Sequence, residues 1–174
     1  MTQQTVAGRT NSVLAGTHGA APEFAVRFTG ALLAVAIAAV HVADQGGITA
    51  MASPTWIGWG YRLIEAGGIL TALILLPPAG TRPGPVRAGP VRLGPAWLTP
   101  ASLGWAAGVL LGAGPFIGYI ASRTVGVPGD SGDVGNWGYW VGTVSLLVEA
   151  ALILLGVSML LAARQQSLTG RARR

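Results

Sequence analysis

The chain has 174 residues, 51% of them hydrophobic and only 10% charged, with a mean hydropathy of +0.56. Soluble domains carry about 25% charged residues, so a soluble fold would have too few charged side chains to cover its surface, whereas a bilayer requires none through its hydrocarbon depth. The absence of cysteine excludes disulfides, thiolate metal sites and thiol redox chemistry together, and the net charge of +5 comes from Arg residues beside apolar segments, which speaks for orientation in a membrane and against nucleic acid as a partner.

Residues 1–23 are small and polar and read as a disordered N-terminal tail. A membrane domain over 24–163 follows, with four apolar stretches near the roughly 20 helical residues that cross a hydrocarbon core. The first runs from Phe24 to Val42. It is longer than the apolar region of a signal peptide, and His41 spoils a small-residue cleavage pattern before Ala43, so it reads as a retained span. The second runs from Ile57 to Leu76. Residues 77–99 form a low-complexity Pro/Gly/Arg-rich loop in which Gly-Pro recurs at Gly84-Pro85, Gly89-Pro90 and Gly94-Pro95, a composition that builds neither helix nor packed strand. The third span covers Ala101 to Ala121 and the fourth Gly138 to Ala162, before a basic tail at 164–174. The predicted architecture is an all-α four-helix transmembrane bundle.

Basic loops stay in the cytoplasm. Arg9 and Arg27 precede or open the first span, Arg82, Arg87 and Arg92 lie between the second and third, and Arg164, Arg171, Arg173 and Arg174 follow the fourth; the other two connections hold only Arg123, with Asp44, Asp130 and Asp133. Both termini and the middle loop are therefore expected inside a bacterial cytoplasmic membrane, since an Arg-only, Ala- and Gly-rich composition fits a GC-rich bacterial genome. Trp56, Trp59, Trp137 and Trp140 mark the outer ends of the second and fourth spans and Trp97 the inner entrance of the third, where amphipathic rings settle at headgroup level.

Gly104, Gly108 and Gly112 recur at four-residue spacing on the third span, a flat stripe on which another helix can lie closely. The stripe makes this span central to the bundle or an interface for a membrane-protein partner or a second copy, and Gly114-Pro115 is expected to kink it. Trp59-Gly60-Tyr61 opens the second span and Trp137-Gly138-Tyr139 the fourth, as if the halves were a repeat. The following glutamates argue otherwise, since six residues separate Trp59 from Glu65 and twelve separate Trp137 from Glu149.

An ionisable group deep in a bilayer costs about 2.5–3.5 kcal/mol or more, so it faces the protein interior or water and finds a partner. Glu65 lies about 13 Å past Trp56 and Glu149 about 18 Å past Trp137 at helical rise. Arg62 can pair with Glu65 at i, i+3, while Glu149 has no partner near it in sequence. His41, Tyr61, Tyr119 and Arg123 fall on the same outer side, so the candidate ligand-binding residues are Glu149, Glu65, Arg123, Arg62, His41, Tyr61 and Tyr119, around an outward polar pocket closed below by aliphatic residues. Asp130-Ser-Gly-Asp133 suits a turn better than a metal site, and no catalytic residue, metal or cofactor is assigned.

The stretch Tyr119-Ile-Ala-Ser-Arg-Thr-Val-Gly-Val-Pro-Gly129, with Trp137 and then Ser145-Leu-Leu-Val-Glu149, resembles a pattern in four-helix membrane proteins of GC-rich bacteria. In that pattern a Ser-Arg-Thr-x-Gly-Leu-Pro run follows the third span and a Glu falls in the fourth. Val127 replaces the Leu, and the resemblance covers the last two spans better than the first two. It implies fold and membrane location, points to Arg123 and Glu149, and brings no activity.

A bis-His haem site has only His41 available within the spans, copper handling would want Met and Cys clusters, and neither a phosphate-binding loop nor a zinc-protease motif occurs. The leading expectation is a non-catalytic accessory or assembly subunit that uses the glycine stripe. The alternative is a small-solute or proton-linked carrier or sensor using the outer pocket, and an intramembrane enzyme built on the carboxylates and His41 ranks third.

Overall fold

A computed structural model describes the backbone of residues 4–76 and 99–172, and the side chains of 23–76, 99–169 and Ala172. Four helices account for nearly all of it: α1 (Gln4–Asp44), α2 (Thr55–Leu75), α3 (Pro100–Thr124) and α4 (Trp140–Ala172). The protein is an all-α bundle. The Pro/Gly/Arg-rich loop, with Arg82, Arg87, Arg92 and Trp97, lies outside the described residues.

The helices overrun the expected tails at both ends of the chain. α1 already begins at Gln4, and α4 continues to Ala172 through what reads as a disordered basic tail. Apolar runs locate only the part of a helix suited to hydrocarbon, whereas a helix once nucleated can propagate beyond it.

Local chemistry accounts for the ends that flank the site. Thr99 caps α3: its hydroxyl accepts from the Ser102 amide at 3.1 Å, the Ser102 hydroxyl accepts from the Thr99 amide at 2.7 Å, and Pro100 takes the first turn, where its missing N–H costs nothing. α3 runs on through Pro115 to Thr124. It is stopped by Gly126, whose φ of +77° lets its amide turn back to the Ala121 carbonyl at 3.0 Å. In the following turn Pro128 is followed by Gly129 at φ +80°, and Val127 and Asp130 exchange backbone hydrogen bonds of 3.1 and 2.9 Å, as Pro-Gly at the centre of a type II turn provides.

Around the bundle α1 neighbours α2 and α4, and α3 neighbours α4 and α2, with α1 and α3 diagonal. The C-terminal ends of α1 and α3 gather with the N-terminal ends of α2 and α4 at one polar end. The core is Ala31, Ala34, Ile37, Ala72, Leu75, Trp105 and Leu152, all buried. Small residues let the helices approach. A Cβ on Gly68 would lie 2.6 Å from the Ala34 carbonyl oxygen, so α1 and α2 meet backbone to side. The glycine stripe of α3 is spent inside this same chain: a Cβ at Gly104 would meet Leu75, at Gly108 Leu152, and at Gly112 the carbonyl of Glu149 at 2.9 Å. All three glycines are buried, so the stripe seats α2 and α4 and leaves no face there for a partner helix.

Glu23–Asp44, Pro100–Thr124 and Trp140–Thr169 are long and apolar enough to cross a membrane. Their outward faces carry Leu110 and Leu154, 73% and 69% exposed, which suits lipid and not water. These are the marks of a membrane protein. α2 is 21 residues long but falls short of the same measure, because Arg62 and Glu65 interrupt its apolar run.

Candidate functional site

At the polar end the helices bring together side chains that sequence places far apart. His41 stands one turn from the end of α1, and its Nδ1 lies 2.9 Å from the Ile37 carbonyl. A carbonyl only accepts, so Nδ1 carries a proton and Nε2 is the nitrogen left to face the bundle. Nε2 lies 3.8 Å from Oε1 of Glu149 on α4, beyond a direct hydrogen bond but close enough for strong coupling. Glu149 is 1% exposed and His41 7%. Ser145, one turn earlier on the same face of α4, donates to Oε1 at 2.5 Å, while Oε2 is buried without a partner.

A lone charge at this depth is expensive, so the form the surroundings accept is the one in which His41 and Glu149 together carry no net charge.

Asp44, one turn beyond His41, receives two tyrosines. Tyr61 donates to Oδ2 and Tyr139 to Oδ1, the latter at 2.6 Å. Tyr139 precedes α4, and its phenol is pushed up to about 12 by that hydrogen bond and by burial, so it stays protonated and keeps donating. The two tyrosines are the third residues of the two Trp-Gly-Tyr triplets, which thus grip one carboxylate from both sides. The glutamates that follow the triplets are not equivalent. Glu65 accepts from Arg62 at 2.6 Å and from Gln45, and Arg62 also donates to the Ala50 carbonyl, a local cluster that joins α2 to the turn after α1.

Arg123 closes the site from α3. It is 5% exposed, pairs with Asp133 in the following loop, and lays its guanidinium 4.6 Å from the centre of the Tyr119 ring. The Arg123 carbonyl accepts from the Gly135 amide at 2.9 Å, so the residue holds the loop by both backbone and side chain. Trp56 Nε1 donates to the Pro128 carbonyl at 3.1 Å, pinning the loop over the start of α2. Charged hydrogen bonds contribute roughly 1.5–3 kcal/mol, but Asp133 is 41% exposed and screened, so Arg123→Leu is expected to cost about 2 kcal/mol in thermal unfolding. Arg123→Lys should recover less than half of this, because an ammonium keeps the charge and loses the planar stacking.

A cavity of about 1010 Å³ runs between α2 and α3 and reaches across to α1 and α4. His41, Tyr61, Tyr119, Arg123 and Glu149 of the sequence candidates line it, whereas Arg62 and Glu65 are absorbed in their own cluster beside it. Asp44, Asp133, Tyr139 and Ser145 also belong to the site. Ser145 was visible in principle, since a hydroxyl one turn before a buried carboxylate shares its face, and the Trp-Gly-Tyr repeat marked Tyr139. Among the described residues no three His, Asp or Glu side chains gather as metal ligands.

Fold and site define a helical membrane bundle with a polar pocket at one end. In comparisons with protein-family models, curated proteins and solved structures, nothing matches the chain.

Proposed function

We propose that the chain is a multi-pass protein of a bacterial cytoplasmic membrane, of the four-helix group it resembles. On this reading it crosses four times with both termini inside, and its outward pocket binds a small ligand against a proton as a carrier or sensor. The observation that carries this reading is Glu149: buried at the wall of a large cavity, beside His41, with one carboxylate oxygen unpartnered. Buried carboxylate oxygens are ordinarily hydrogen-bonded, so the free Oε2 leaves a position for a ligand group. The accessory-subunit reading rested on the glycine stripe, and α2 and α4 already occupy it. α2 serves as the remaining span because its charged pair is neutralised within the bundle, while Leu63, Leu70 and Leu73 lie 74%, 59% and 65% exposed on its outer face, where lipid would cover them.

Infrared difference spectra of the protein in lipid nanodiscs at two pH values test the proton site. One carboxylic-acid stretching band is expected to change with pH in the wild type, to vanish in Glu149→Gln and to shift in His41→Asn. A band that survives Glu149→Gln, or a wild type with none, removes the reading.

A further inference from the structure

We infer that the pocket takes a lipophilic organic cation, which enters sideways from the bilayer through the cleft between α2 and α3. This rests on the pocket reading above and adds the ligand's chemistry and route.

The shape argues for an amphiphilic molecule. On α2 the cavity lining runs from Trp56 to Ile74, about 27 Å at helical rise, so the cleft follows most of the helix instead of ending at the polar mouth. Leu63, Leu70 and Leu110 line it and are also 74%, 59% and 73% exposed, which leaves its flank open to the surrounding hydrocarbon. A volume of about 1010 Å³ is enough for a drug-sized molecule. A stripe of α3 is left bare for it: nothing lies within 4 Å of a Cβ built on Gly114 or Gly118, both of which line the cleft.

The charge argues for a cation. Asp44, Asp130, Asp133 and Glu149 line the cavity against Arg123 as the one Arg among the lining residues, and Arg123 is already paired with Asp133. Asp44 is held by two tyrosines. Four buried polar atoms of the wall are unpartnered: Oε1 of Gln45, the Tyr119 hydroxyl, Nε of Arg123 and Oε2 of Glu149. Nε belongs to a guanidinium already paired with Asp133, whereas Oε2 belongs to a carboxyl group with no Arg on it, and the Tyr61 and Tyr119 rings lie in the same wall. An anion would meet net negative charge there. A neutral amphiphile would leave Oε2 as it is. A cation takes a carboxylate partner and aromatic faces, and it replaces the proton of a protonated Glu149, so the charge of the site is conserved.

The probes are tetraphenylphosphonium and tetraphenylborate, which share a shape and differ in the sign of their charge, with nanodisc-embedded protein and empty nanodiscs as the baseline. Saturable binding of the phosphonium is expected, weakened at least tenfold in Glu149→Gln and in Gly118→Trp, with proton release on binding and no saturable borate binding. Gly114→Leu serves as a second cleft-filling variant should Gly118→Trp fail to fold. Equal borate binding, or phosphonium binding unchanged in Glu149→Gln, overturns the cation assignment. Binding that withstands both cleft-filling variants while Glu149→Gln abolishes it overturns the route. If no phosphonium binds but the infrared band of Glu149 persists, the ligand class falls and the proton site stands; if the band is missing too, both fall.

Discussion

Trp105→Ala is expected to destabilise the bundle by about 3–5 kcal/mol, the cost of a large aromatic removed from a packed interior. Trp105 is 3% exposed on α3, at the centre of the core cluster with Ala34, Ile37, Leu75 and Leu152. Association of helices in lipid gains little from expelling water, so close packing has to hold them, and a void there forfeits contacts directly. The ring lies against Gly30 of α1: a Cβ on Gly30 would stand 2.6 and 2.7 Å from two of its carbons. This contact makes a decisive double-mutant cycle. Gly30→Val alone should cost about 1–3 kcal/mol through overpacking, yet in the Trp105→Ala background it should recover stability by filling the vacated space. The readout is thermal unfolding in mild detergent, and strictly additive losses would show that the two residues do not touch.

Gly68→Val is the second large effect, about 3 kcal/mol or more, at the upper end of overpacking penalties. Here the obstacle is backbone. The new Cβ would lie 2.6 Å from the Ala34 carbonyl oxygen and 2.9 Å from the Ala38 Cβ, and neither can rotate away. α1 and α2 must part, which strains the bonds from Tyr61 to Asp44 and from Gln45 to Glu65 at the polar end. Gly60, on the same helix, has nothing within 4 Å of its Cβ, so Gly60→Ala should be neutral or gain up to about 1 kcal/mol from helix propensity. Comparable losses at both positions, measured as the midpoint of unfolding, would mean that the α1–α2 contact is not where the structure places it.

These two contacts show which parts of the molecule its sequence discloses. The helices are legible because long apolar runs separated by Gly, Pro and Asp demand them, and the Arg62–Glu65 pair is legible because three residues along a helix fix its geometry. The glycine stripe on α3 announces a close approach, but not which neighbour makes it: α2 and α4 of the same chain could be recognised only once the helices were arranged. The same holds for the site. Glu149 finds His41, and Asp44 finds Tyr139, across α1–α4 contacts that no local spacing encodes. The ends of α1 and α4 escaped notice for a different reason, since apolarity reports where a helix suits hydrocarbon and is silent about how far it extends beyond.

The coupling of His41 to Glu149 is open to direct observation by nitrogen-15 NMR of the histidine-labelled protein in lipid, with His18 replaced by Asn so that one of the chain's two histidines remains. Nδ1 should be protonated at every pH where the fold persists, since it donates to the Ile37 carbonyl, and only Nε2 should titrate. The pH of that titration should move when Glu149 becomes Gln. A ring with an unprotonated Nδ1, or an Nε2 titration indifferent to Glu149→Gln, would contradict the pair.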